Sequence, residues 1–116
     1  MKKIPVLVIG LVLLMVACSK SNDKNNNSNT VDCGSITTTF AANVSPLILS
    51  SCAKSGCHNA GSTNGPGALT NYTNIFANRV AIRAAVSSGE MPQDATFSAT
   101  QKATITCWID AGAQQN

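Results

Sequence analysis

The chain is short of the residues that usually decide a function. Its 116 residues hold one histidine, one tryptophan, one tyrosine and three phenylalanines, and only 11% are charged. No Gly-rich loop runs into a lysine, no nucleophile elbow is present, and no histidine stands in position to complete a triad. Kinase and hydrolase chemistry is thereby excluded. The longest apolar run, residues 4–17, is fourteen residues, against roughly 20 for a membrane-spanning helix. No alternating run is long enough for a strand, and no internal repeat is present. The formal charge of +3 depends on Lys2 and Lys3 at the extreme N-terminus, and without them it is +1. From Val31 onward Lys54, Arg79, Arg83 and Lys102 balance Asp32, Glu90, Asp94 and Asp110. A near-neutral domain with no basic stripe argues against a nucleic-acid partner and against a polybasic lipid patch.

What is present at the N-terminus reads as an address. Lys2 and Lys3 precede the short apolar run, which closes on Leu14-Met15-Val16-Ala17-Cys18. A basic start, a short apolar core and small residues at its end are the secretory pattern. The closing segment resembles a bacterial lipobox, and that resemblance implies cleavage before Cys18 and lipidation of its sulfur. Residues 19–30 read SKSNDKNNNSNT, without one apolar side chain. Such a segment cannot bury enough surface to offset its ordering entropy, so it suits a flexible tether. The chain therefore divides into a signal peptide at 1–17, a lipidated tether at 18–32 and a folding domain at 33–116.

A domain of this size buries a modest fraction of its surface and commonly needs a staple or a cofactor. Its periodicity is helical. Phe40, Val44, Leu47 and Ile48 form one apolar face, with Asn43 or Ser45 available as a cap and Pro46 tolerable in a first turn. Gly61, Gly65, Pro66 and Gly67 mark a loop. A second helical stretch covers about 72–88, with Ile75, Phe76, Val80, Ile82 and Val86 as candidate buried positions, a break near Asn78 and a stop at Gly89. Ser98 and Gln101 form a capping box for a last helix that carries Ile105, Trp108 and Ile109 and ends at Gly112. The fold class expected is mostly α.

The chemistry is concentrated in Cys52-Ala53-Lys54-Ser55-Gly56-Cys57-His58. Two cysteines followed at once by histidine is the arrangement of covalent haem attachment: both thiols add to the haem vinyl groups, and the adjacent imidazole reaches the iron. Four residues separate these cysteines, where two is the usual spacing. Met91, in Ser88-Gly89-Glu90-Met91-Pro92, is the only methionine beyond the signal segment. A thioether on a loop bounded by Gly and Pro suits a distal iron ligand, although a lone methionine also serves as core filler. As a zinc site, Cys52, Cys57 and His58 lack a fourth ligand at sensible spacing.

From about Phe40 to Gly112 the chain resembles the cytochrome c family, in particular its small lipoprotein members. The shared features are a helix entering Cys52…Cys57-His58, a Gly/Pro loop, a Gly-x-Met-Pro segment and a final Trp-bearing helix. The resemblance implies a small helical domain wrapped around one covalent haem c, held by Cys52 and Cys57, with His58 and Met91 as metal ligands. It implies that the first and last helices cross at one edge of the haem. It also implies a proline carbonyl, here that of Pro66, against the His58 ring, and Leu69 leaning on the porphyrin. Arg79 and Arg83, an i, i+4 pair, either meet the haem propionates or form a solvated helix face. The expected function is one-electron transfer by a non-enzymatic carrier in the cell envelope. It would be anchored through its lipid to the periplasmic or outer-membrane face, with redox proteins as partners.

Cys33 and Cys107 remain. In an oxidising compartment a disulfide between them would tie the start of the domain to its last helix, although spacing alone leaves the connectivity open. The rival reading is a haem-free lipoprotein stapled by Cys33–Cys107 and Cys52–Cys57, acting as a binding module. A peroxidase or gas sensor would need an open sixth position and distal acid–base groups, for which Glu90 is the only nearby carboxylate.

Overall fold

The computed structural model describes residues 32–116. The signal segment, Cys18 and all of the tether except Asp32 lie outside the described residues. Helical elements make up about half of the described residues, and no strand occurs among them, so the domain is mostly α.

The first helix starts earlier than its sequence pattern suggests. Thr39 is the cap: its Oγ1 accepts from the Ala42 amide at 3.3 Å, while Asn43 Oδ1 accepts from the Thr39 amide at 2.9 Å. A π-helical turn, Phe40–Val44, then leads into α1, Ser45–Ser51. That wide turn lies directly upstream of Pro46, which has no N–H to donate and whose ring crowds the carbonyl four residues back. Val44 and Ile48 are fully buried on this face.

The 72–88 stretch forms two helices, α2 (Tyr72–Ala77) and α3 (Arg79–Ser88). Asn71 caps α2 by accepting from the Asn74 amide at 3.0 Å, and Asn78 leaves helical geometry between the two. Gly89 ends α3 with φ 82°, a left-handed conformation that glycine enters without steric cost. α3 turns one side inward. Ile82 and Val86 are buried, one turn apart, whereas Val80 is 73% exposed. It stands two residues from Ile82, about 200° around the helix. Val80 is thus not part of the core.

The last helix, α4, spans Ala99–Asp110 and carries both halves of the capping box formed by Ser98 and Gln101. It packs on α3 and on the Phe40–Val44 turn, and α2 packs on α3. Ile105 and Trp108 are buried in this junction, where Phe40 meets the Trp108 ring at 5.5 Å and the edge of Tyr72 at 5.0 Å. The C-terminal residues seal it. Trp108 Nε1 donates to the Gln114 carbonyl, Tyr72 Oη donates to the Ala113 carbonyl, and the Phe40 and Ala41 amides donate to Asn116. Cys33 is disulfide-bonded to Cys107 across 74 residues of chain, tying the short 3₁₀ turn Cys33–Ser35 to α4. Among the described residues no helix is long and apolar enough to cross a membrane.

Candidate functional site

A cavity of about 770 Å³ is lined by residues of α1, α3 and the loops between and after them. That volume falls in the range of small-molecule and cofactor sites, about 300–1,000 Å³. Ile48 of α1, Ile82 and Val86 of α3, and Leu69 from the loop before α2 supply apolar walls. Cys52, Cys57, His58 and Met91 line the same space.

The Cys52 to His58 segment is held by its own backbone. Cys52 takes up the end of α1, its amide donating to the Ile48 carbonyl at 2.8 Å. The chain then turns so that the Cys57 amide donates to the Lys54 carbonyl at 3.0 Å and the His58 amide to the Cys52 carbonyl at 2.9 Å. Gly56 makes the turn possible with φ 79°. Cys52 and Cys57 are separate thiols, Cys52 buried and Cys57 partly exposed. Burial pushes the Cys52 thiol above its ordinary value, against the opposing field of Lys54.

His58 is 7% exposed. Its Nδ1 lies 2.9 Å from the carbonyl of Gly67. A carbonyl only accepts, so Nδ1 carries a proton, and in the neutral ring Nε2 is the nitrogen with the lone pair. The acceptor is therefore Gly67, one residue beyond the Pro66 carbonyl expected from the family pattern. A turn sets this register: the Gly67 amide donates to the Asn64 carbonyl, and Asn64 Nδ2 donates to the carbonyls of Gly56 and Cys57. Asn64 thereby fastens the 64–67 turn to the cysteine segment, a role that no sequence pattern singled out.

Met91 lines the cavity from the segment after α3. Its amide donates to the Ala85 carbonyl at 3.1 Å, and a cis peptide joins it to the buried Pro92. Arg79 and Arg83 do not line the cavity. Arg79 donates to the Phe76 carbonyl and lies 4.0 Å from the centre of the Phe76 ring. Arg83 makes a two-pronged pair with Asp110. Both guanidinium groups are engaged elsewhere, so the helix-face reading of this pair replaces the propionate reading.

The cavity lining includes the donor types that haem would need. Two thiols, an imidazole with one nitrogen bonded to the backbone and a thioether line a largely apolar space. Among the described residues no three His, Cys, Asp or Glu side chains cluster so as to hold a metal ion. Comparison with protein-family models, with curated proteins and with solved structures finds no match.

Proposed function

We propose that this chain is a membrane-tethered c-type cytochrome that transfers single electrons. The observation that carries the reading is the lining of one apolar cavity by Cys52, Cys57, His58 and Met91. In this reading Cys52 and Cys57 would hold one haem c through thioether bonds, and His58 and Met91 would bind its iron. Bound haem supplies an iron that alternates between ferric and ferrous states and so holds one electron at a time.

The protein's own groups do the rest. The Gly67 carbonyl fixes the His58 ring by accepting a hydrogen bond from its Nδ1–H, which orients Nε2 and raises its basicity. Met91 as the second ligand holds the reduction potential above that of a bis-imidazole site. Ile48, Leu69, Ile82 and Val86 exclude water and lower the local dielectric, which disfavours the more highly charged ferric site. With His58 and Met91 both on the iron, haem would have no free position for a substrate, which supports a carrier over an enzyme. Lipid on Cys18 and the 19–30 tether would concentrate the domain near membrane-bound redox partners in the cell envelope.

The haem-free, doubly stapled alternative requires a Cys52–Cys57 bond. Those two sulfurs remain unjoined while Cys33 and Cys107 pair. A redox titration of the exported protein separates the two readings. A reversible one-electron wave with c-type absorption bands supports the carrier, and a colourless, redox-silent protein contradicts it.

A further inference from the structure

The four-residue spacer between the cysteines does more than lengthen the loop. Lys54 lies within it, and its Nζ reaches Asp94 Oδ2 at 2.8 Å, across 40 residues of sequence. The backbone of Lys54 belongs to the turn that holds His58, since its carbonyl accepts from the Cys57 amide. Asp94 lines the cavity three residues after Met91. Among the described residues, Lys54–Asp94 is the only side-chain hydrogen bond or ion pair joining segment 52–58 to segment 89–98. The pairing favours both charged forms: Asp94 is held below its ordinary value by the Lys54 hydrogen bond, and Lys54 is raised by the same bond.

We propose that Lys54 is a positioning residue that clasps the Met91 segment to the cysteine segment across the cavity. Its consequence for iron ligation rests on the haem reading, whereas the clasp itself rests on the ion pair alone. Without the pair, the Met91 segment keeps its attachment to Ala85 at one end and loses its polar tie to the wall that carries His58. Both side chains are partly exposed, 39% and 54%, so the clasp is of modest strength and weakens with salt.

The test uses the exported, mature protein, with haem content measured on the same sample. Hydrogen exchange is followed at the Met91 amide, which is bonded to Ala85, and at the Ala111 amide in the last turn of α4 as reference. Lys54→Ala should speed exchange at Met91 by about two- to five-fold, the range set by an exposed ion pair, and leave Ala111 unchanged. Lys54→Arg should restore the slow rate, and about 1 M salt should erase the difference between wild type and Lys54→Ala. Equal Met91 rates in wild type and Lys54→Ala at low salt overturn the clasp. So does a parallel acceleration at Ala111, which marks general destabilisation. A haem-free sample with the expected exchange pattern would remove the cytochrome reading and leave the clasp standing. In a haem-loaded sample the Lys54→Ala change should also weaken the thioether-to-iron absorption band.

Discussion

His58 Nδ1 and the Gly67 carbonyl lie 2.9 Å apart, an arrangement that fixes the tautomer of the only histidine in the chain. With Nδ1–H committed to the backbone, Nε2 is the nitrogen left to bind iron. Replacing His58 with Ala is expected to abolish stable haem incorporation, read as loss of visible absorbance in the exported protein. A His58→Ala protein with wild-type haem content and spectrum would remove His58 from the site.

Met91 makes a different kind of prediction, because attachment does not depend on it. Met91→Ala should retain covalent haem and lower the reduction potential, since a weaker or more polar ligand takes the sixth position. Spectroelectrochemistry checks this. An unchanged spectrum and potential would return Met91 to the role of core filler.

The Cys33–Cys107 bond closes a loop of 74 residues. In the chain-entropy account such a loop restricts the unfolded chain by roughly 4 kcal/mol. Replacing both cysteines with Ser should therefore reduce unfolding stability by several kcal/mol in urea titrations, with the native haem spectrum retained in water. A loss below about 1 kcal/mol would show that the bond restrains the unfolded chain far less than its length suggests.

Acid should destabilise the domain through its paired carboxylates. The Arg83 hydrogen bonds hold the Asp110 carboxyl below its ordinary value, and Lys54 does the same for Asp94. A depressed carboxylate contributes stability at pH above its unfolded value, 3.8, and loses it as pH falls through the folded value. The thermal midpoint should thus fall below about pH 4, and Asp110→Asn should flatten that fall while being less stable at neutral pH. Identical acid limbs in the two proteins would show that the Arg83 pair contributes nothing to folding.

Local chemistry made much of this domain legible in the sequence. Ser98 and Gln101 cap α4 within four residues of one another, and Gly89 stops α3 through its own backbone freedom. Neither depends on the rest of the fold. Val80 is apolar yet exposed because it lies about 200° around α3 from Ile82, so the two cannot share one buried face. The early cap at Thr39 was hidden for another reason. Phe40 is held by Asn116 and the Trp108 ring, contacts made by the far end of the chain. At the cavity, the cysteine–histidine motif and Met91 stood out by residue type. The Gly67 acceptor, the Asn64 brace and the Lys54–Asp94 pair depend on how loops fold back on one another, which no spacing encodes.

The most direct test of the central claim is covalent haem on the mature chain. The protein is exported from a host competent in cytochrome c maturation, denatured, extracted with acid–acetone and examined as its pyridine haemochrome. Haem should stay with the chain, give a c-type band, and be lost from the chain when both Cys52 and Cys57 are replaced with Ala. Protein from that host with no retained haem would contradict the claim, as would haem that survives replacement of both cysteines.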